Sequence, residues 1–328
     1  MDTKTKILTI LRESDAYVSG QQLCNQLGVS RTAVWKVIGV LKEQGYQIEA
    51  VQNKGYKLVS VPEVMSESEI ASRLHTKWAG RKVVYLDETG STNIDCKRLL
   101  QEGSPHGTLV VADMQKTGKG RRGRSWISPP GVSIYMTLGL KPDFMPDKAS
   151  MLTLVMALAV SEAITEVTGL DAQIKWPNDI VINRRKVCGM LTEMSTESDY
   201  IDNVVIGVGI NANQEQFDAQ IAETATSLLI ETGGKVSRVS IIQKSMEYFE
   251  RYYEKFVENC NMSTIMGEYN KKLVNMGAQV RVLDPKGEFD GIARGINELG
   301  ELLVERADGS VTNVYAGEVS VRGIYGYV

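Results

Sequence analysis

The first sixty residues carry a punctuation that few folds satisfy. Ile7, Ile10 and Leu11 fall on one helix face. Ser19 stands at an N-cap position, and Leu23 and Leu27 follow one turn apart. Gly28 suits a tight turn. Ser30 then caps a third helix whose Val34, Val37, Ile38 and Leu41 recur at i, i+3, i+4 and i+7. Gly45 ends that helix. Segments 46–51 and 56–59 flank the turn Asn53-Lys54-Gly55 as a β-hairpin. Three short helices followed by a hairpin make a winged helix-turn-helix. Its third helix would enter a major groove and its wing would touch backbone; a small helical bundle used for protein contacts is the other reading. Ser30, Arg31, Thr32, Trp35, Lys36 and the wing residue Lys54 are therefore the candidate DNA contacts. Charge agrees: residues 1–60 hold eight Lys+Arg against five Asp+Glu, a net of +3, which leaves −6 on the rest of a chain whose total is −3.

The remainder reads differently. A chain of 328 residues points to two or three domains. A linker at 59–63 ends the first domain at residue 62, and Ser66-Glu67-Ser68-Glu69 opens a helix as a capping box. Strand patterns recur at 82–86, 108–112, 133–140, 172–176, 180–182, 187–194 and 204–210, with a buried helix at 149–168. This predicts a central α+β domain, 63–274, with a mixed, largely antiparallel sheet. After a helical stretch at 239–258, short strands at 280–283, 287–297, 302–305, 312–314 and 319–322 predict an SH3-like β-barrel over 275–328. That piece is read equally well as a stability module or as a contact to a ligand or partner.

Several function classes are excluded or disfavoured. Cys24, Cys96, Cys188 and Cys260 form no CxxC pair, and His75 and His106 have no metal-ligand neighbour at useful spacing. A zinc site or disulfide framework is not expected, and a reducing cytoplasm is. The apolar run 151–160 is far short of the ~20 residues of a membrane helix, and the polar 1–6 opens no signal peptide. No GxSxG, P-loop or GxGxxG motif occurs. Chemistry here is expected to rest on charge and positioning.

The most informative stretch is Gly118-Lys119-Gly120-Arg121-Arg122-Gly123-Arg124-Ser125-Trp126. Three glycines let backbone approach a ligand closely. The interleaved cations suit phosphate and carboxylate groups. A solvated basic loop or a nucleic-acid contact has the same composition. Four other stretches accompany it: Glu88-Thr89-Gly90-Ser91-Thr92-Asn93, a polar strand-end loop; Lys175-Trp176-Pro177-Asn178-Asp179, an amine and a carboxylate around a rigid turn; Arg185-Lys186-Val187-Cys188-Gly189-Met190-Leu191, with Lys186 entering an apolar strand; and Gly207-Val208-Gly209-Ile210-Asn211.

GKGRRGRSW, KWPND, RKVCGML and GVGIN in this order, behind a winged helix, closely resemble the bacterial biotin–protein ligases in their bifunctional ligase/biotin-operon-repressor form. The resemblance covers the whole chain. Lys119 departs from the arginine common in the family's loop and lacks its bidentate fork. The resemblance implies that biotin and MgATP give biotinyl-5′-AMP and pyrophosphate, and that biotin then passes to a lysine of a carboxyl-carrier domain. It implies Lys186, Arg121 and Asp179 as catalytic residues. It implies Ser91, Thr92, Asn93, Gln115, Gly118, Lys119, Gly120, Arg121 and Lys186 around biotin. Arg121, Arg124, Trp126, Lys175, Asn178 and Asn211 would line the nucleotide site, and Trp126 would wall either ring system. Magnesium would arrive with ATP, with no fixed protein site. Asp179 is left with three roles: orienting Lys186, holding magnesium or deprotonating the incoming lysine. Implied partners are carrier domains of biotin-dependent carboxylases, operator DNA and a second copy of the chain on binding biotinyl-5′-AMP, with no membrane. A ligand sensor without catalysis is a second reading. A lipoate ligase is a third, although its glycine triplet after a basic pair is absent.

Overall fold

A computed structural model describes residues 2–197, 200–284, 287–316, 320–323 and 327–328. The chain divides into two compact units, residues 1–75 and 76–328.

The first unit is the expected three helices and hairpin. α1 (Thr3–Glu13) is capped by Asp2, α2 (Gly20–Leu27) by Ser19 and α3 (Arg31–Glu43) by Ser30. Gly28 takes the left-handed conformation that ends α2, with φ 66°. Ile7, Leu8, Leu11, Val34, Ile38 and Leu41 are buried together. β1 (Gln47–Val51) pairs antiparallel with β2 (Gly55–Ser60). Only glycine fits the turn at Gly55: φ is +113°, and a Cβ there would stand 2.1 Å from the Val18 carbonyl oxygen.

Ser66 caps α4 (Glu67–Ala71) by accepting from the Glu69 N–H at 3.2 Å. The Glu69 side chain does not complete the capping box. It is 1% exposed and accepts from Arg12 at 2.8 Å, Tyr46 at 2.7 Å and Arg73 at 2.7 Å. Two guanidiniums and a phenol outcompete one backbone N–H for a buried carboxylate. They also tie α4, which the sequence assigned to the central domain, to the first unit.

The second unit is organised by a seven-stranded sheet: β3 (Lys82–Thr89), β4 (Thr108–Gln115), β5 (Ile134–Leu140), β6 (Gln173–Lys175), β7 (Asp179–Ile182), β8 (Arg185–Glu197) and β9 (Tyr200–Ile210), in the order β3-β4-β5-β9-β8-β7-β6. Only β3 and β4 run parallel. A parallel neighbour needs a crossover, and α5 (Thr92–Gln101) supplies it. The sequence reading missed α5. Its ten residues bury little apolar surface beyond Cys96 and Leu100, so no stripe announced it.

α6 (Leu152–Thr168) continues a 3₁₀ turn over Pro146–Met151 and packs on α8 (Arg238–Asn259). Together 146–168 span 23 residues, long and apolar enough to cross a membrane by length and composition, which the run 151–160 alone did not suggest. In this fold 67% of that apolar window is buried. α7 (Leu228–Thr232) and α9 (Met266–Lys272) complete the helices among the described residues. The chain then forms β10 (Gln279–Leu283), β11 (Phe289–Ile296), β12 (Leu302–Glu305), β13 (Val311–Val314) and β14 (Ser320–Gly323), an antiparallel sheet ordered β13-β12-β11-β10-β14. Trp176 Nε1 donates to the Gly300 carbonyl at 3.0 Å, joining this sheet to the turn before β7.

Replacing Glu69 with Leu should destabilise the first unit by about 3 kcal/mol, because Arg12 and Arg73 lose the carboxylate they share. Urea unfolding of the full chain, followed at the first unit's Trp35, measures this; an unmoved first transition would remove Glu69 as its organiser.

Candidate functional site

A cavity of about 690 Å³ opens on the second unit. Its floor is the sheet, where three glycines bare the backbone. Gly189 on β8 is the register partner of Gly209 on β9, and Gly207 lies two residues before Gly209. A Cβ on Gly209 would stand 2.5 Å from the Trp126 indole, one on Gly189 2.8 Å from it, and one on Gly207 2.2 Å from Asn93 Oδ1. Side chains there would push Trp126 and Asn93 out of place.

At one end of the groove sits the start of α5. Ser91 holds the N-cap position yet makes no side-chain cap hydrogen bond, and it lines the cavity. The Thr92 N–H and hydroxyl both donate to Gln115 Oε1, at 3.0 and 3.1 Å, and Gln115 Nε2 donates to Ser128 at 3.1 Å. Asn93 donates to Glu193 at 2.7 Å and accepts from Thr137 at 2.7 Å. These groups form a polar wall braced from behind.

The basic loop folds back on itself. The Gly120 N–H donates to the Arg124 carbonyl at 2.7 Å, and the Trp126 N–H to the Gly118 carbonyl at 2.9 Å. Arg122, at the tip, has φ 58°. Gly118 lies behind the wall: a Cβ would stand 2.5 Å from the Trp126 carbonyl oxygen. It is the one sequence-predicted ligand residue absent from the cavity lining. Lys119, Gly120, Arg121, Arg124 and Trp126 all reach the lining. Arg121 crosses the cavity to donate to Asn178 Oδ1 at 2.8 Å and to the Ala316 carbonyl at 2.8 Å. Burial lowers its pKa, although Asp179 opposes this.

The charged centre depends on one irregularity in the sheet. Asp179 pairs with Gly189 and Ile180 with Cys188, but Val181 then pairs with Lys186. The extra residue in β8 is Val187. Without this bulge Lys186 would share the face of Cys188, because strand side chains alternate. With it, Lys186 turns to the face of Asp179 and Gly189, and its Nζ lies 2.6 Å from Asp179 Oδ1. Asp179 is buried at the base of the cavity. Burial alone would raise its pKa, but Lys186 and Lys175 overcome this and hold the carboxyl below its ordinary value. Asn178 donates to the same Oδ1 at 3.2 Å, and the Tyr327 hydroxyl donates to Oδ2.

Lys175 is buried with its Nζ 4.3 Å from the centre of the Tyr327 ring. Burial pulls its pKa down to about 8, with Asp179 opposing and neighbouring cations assisting. Lys186 lies 5.4 Å from the Trp126 ring. Asn211 is fixed by donation to the Thr226 carbonyl at 3.1 Å. The cavity thus gathers Arg121, Arg124, Lys175 and Lys186, with Asp179 at its base and Asp218 also on its lining. Among the described residues no group of three His, Cys, Asp or Glu could hold a metal ion.

Sequence reasoning missed other lining residues. Residues 214–224 contribute Gln214, Phe217, Asp218, Gln220, Ile221 and Thr224, and the segment after β13 contributes Val321, Arg322 and Tyr327. Neither segment carries a motif. The three floor glycines were visible as close-approach residues but not as a paired groove.

In the first unit, Trp35 is 68% exposed, and Arg31, Thr32 and Lys36 are exposed beside it on α3. Arg31 donates to Gln21 on α2 at 2.8 Å. The Ser30 hydroxyl accepts the cap hydrogen bond at 3.2 Å. Lys54 lies 5.8 Å from the Tyr17 ring in the wing turn. Five of the six lie on the N-cap and the first half of α3, and Lys54 lies in the turn between β1 and β2.

Comparison with known proteins follows the same partition. Residues 85–211 match the biotin/lipoate A/B protein ligase family, residues 3–57 an HTH domain, and residues 276–322 the biotin protein ligase C-terminal domain. A protein of Bacillus subtilis (strain 168) described as the bifunctional ligase/repressor BirA is 39% identical over 307 residues, 93% of this chain and 94% of that one. Its counterpart by description in Escherichia coli (strain K12) is 28% identical over 97% of this chain and 96% of its own. Among solved structures, the biotin protein ligase from Aquifex aeolicus in complex with biotin and ATP matches with a TM-score of 0.65 and 32% identity, covering 74% of this chain and 99% of that chain.

The position of Lys175 predicts a proton signal. Its pKa of about 8 leaves it largely neutral at higher pH, and an anion bound beside it restores the charge. Triphosphate binding at about pH 8.5 should therefore take up roughly three-quarters of a proton, falling to about a tenth near pH 7. Calorimetry in buffers of different ionisation heat reads this, with Lys175→Gln as the control. Equal uptake by that variant would assign the proton elsewhere.

Proposed function

The chain belongs to the bacterial bifunctional biotin ligase/repressor family, and we propose that its cavity joins biotin to ATP through the charges assembled around Lys186. It is an ATP-dependent biotin–protein ligase with a DNA-binding repressor domain. The observation that carries the residue assignment is the Lys186–Asp179 pair at the foot of a glycine-floored groove, facing a tethered basic loop.

Biotin lies along Gly189, Gly207 and Gly209 beneath Trp126. Its ureido group, both donor and acceptor, meets Ser91 and Thr92, braced by Gln115 and Asn93. Lys119 and the backbone of Gly120 close the groove, with Gly118 supporting them from behind. Its carboxylate reaches Lys186. The phosphates of ATP lie toward Arg121, Arg124 and Lys175, with Asn178, Asn211 and Trp126 completing the nucleotide wall. A carboxylate oxygen attacks the α-phosphorus, the bond to the bridging oxygen breaks, and pyrophosphate leaves. Two anions must meet, so the barrier is largely like-charge repulsion. Lys186 and Arg121 neutralise it with charges already in position. In the second step a carrier lysine amine attacks the biotinyl carbonyl and AMP leaves.

Asp179 acts as the orienter of Lys186. Lys186 and Asn178 use one of its oxygens and Tyr327 the other, which disfavours the roles of metal ligand and base. Magnesium arrives on the triphosphate as part of the substrate. The C-terminal sheet forms an SH3-like barrel that delivers Ala316, Arg322 and Tyr327 to this site. The protein works in the cytoplasm, where its carrier domains are, and away from membranes.

The repressor arm follows from charge. One winged helix of net +3 makes few phosphate contacts and binds DNA weakly at physiological salt. Two of them in a dimer gain effective concentration on paired half-sites. Biotinyl-5′-AMP drives this by binding the dimerising state more tightly. Sedimentation and operator titration with and without adenylate should show dimer formation and tighter DNA binding together. Unchanged values for both would leave the winged helix uncoupled from the ligand.

The ligase reading is tested with labelled biotin, ATP and a carboxyl-carrier fragment. Wild type should release pyrophosphate and label the carrier. Lys186→Ala should lose adenylation by roughly 10²–10³-fold while keeping its unfolding curve. Near-normal pyrophosphate release by that variant would remove Lys186 from the reaction.

A further inference from the structure

Tyr327 does not belong to any of the motifs that mark this site, and no strand carries it. It nevertheless touches both halves of the charged centre. Its hydroxyl donates to Asp179 Oδ2, while Lys186 holds Oδ1 of the same carboxylate at 2.6 Å. Its ring faces the buried Lys175 ammonium at 4.3 Å. The phenol is half-enclosed by the site, and burial, with Asp179 beside it, raises its pKa far above the ordinary value. It therefore stays protonated and remains a donor throughout the working pH range. The next residue is anchored as well. Val328 is buried, and its carbonyl accepts from Arg184 at 2.7 Å. Arg184 lies in the turn between β7 and β8, two residues before Lys186. A Cβ on Gly323 would meet the Val328 carbonyl at 2.2 Å, so Val328 is closely seated against Gly323.

The consequence concerns freedom of movement. A buried carboxylate with one oxygen unbound would rotate to share both oxygens with Lys186 or swing to the ammonium of Lys175. Either motion draws a cation away from the groove and toward Asp179. The Tyr327 hydroxyl occupies Oδ2 and blocks both. We propose that Tyr327 is a positioning residue of the adenylation step: its hydroxyl fixes Asp179 so that Lys186 stays aimed into the groove, and its ring seats the Lys175 ammonium at the phosphate end. This rests on the ligase reading above and adds to it a residue from outside the central domain.

Two variants separate the two contacts. Tyr327→Phe removes the hydroxyl and keeps the ring. The rate of adenylate formation at saturating biotin and ATP should fall about tenfold, as for loss of one hydrogen bond to a charged group, with both KM values within about twofold. The effect passes through Asp179, so in an Asp179→Asn background the same change should cost less than about twofold. Tyr327→Leu removes the ring too. It should in addition raise the KM for ATP and move the alkaline limb of the rate profile to lower pH, because a buried ammonium without its ring deprotonates more readily. The limb of Tyr327→Phe should stay where wild type has it. A purely structural role would move none of these signatures selectively. Wild-type rates in Tyr327→Phe, or an equal tenfold loss in both backgrounds, would overturn the proposal. Wild type failing to form adenylate at all would instead overturn the ligase reading, so the two failures are distinguishable.

Discussion

The contact between Asp179 and Lys186 sets the terms for the rest of the site. It is a buried carboxylate paired with an amine, and such a pair is costly unless every oxygen is satisfied. Asn178, Tyr327 and the bulge at Val187 are the means of satisfying it. The bulge matters most. It is a single extra residue that turns Lys186 from the face of Cys188 to the face of Gly189, which lies on the open groove. A regular β8 of identical composition would bury the ammonium under the sheet, among apolar side chains. The chemistry is therefore a property of strand register before it is a property of residue type.

The two units apply the same electrostatics to opposite ends. Glu69 in the first unit is a buried carboxylate shared by Arg12, Arg73 and Tyr46, with its donors matched to its lone pairs. The cluster serves to hold α4. The cavity of the second unit keeps Arg121, Arg124, Lys175 and Lys186, more cations than the two carboxylates, Asp179 and Asp218, on its lining. That excess of positive charge is maintained against repulsion and desolvation, and the lowered pKa of Lys175 is its trace.

What the sequence disclosed, and what it hid, follows from how local each signal is. The winged helix was legible because Ser19, Ser30, Gly28 and Gly55 act within a few residues of themselves. The basic loop was legible because its charge density needs no context. α5 was not, since half of its buried residues, Thr92 and Asn93, are polar and leave no apolar stripe to read. The fate of Glu69 was hidden for a related reason: S-x-x-E spells a capping box, and only a fold that brings Arg12 and Arg73 near can take the carboxylate away. Tyr327, Arg322 and residues 214–224 reach the cavity from distant parts of the chain, and no spacing rule connects them to it.

The paired glycines under Trp126 have a consequence for how this pocket can change over evolutionary time. Selectivity that resides in side chains can be tuned in small increments, one methyl at a time. Here the shape of the groove is cut by bare backbone at Gly189, Gly207 and Gly209, and the first added carbon already collides at 2.8 Å or less. The floor therefore offers no intermediate settings: it is either open or blocked. Any drift toward a bulkier or differently shaped ligand must proceed through the movable walls, Trp126 and the groups that brace Asn93, while the floor stays locked. Lineages of this protein should accordingly diverge around the rim of the pocket and remain frozen at its base.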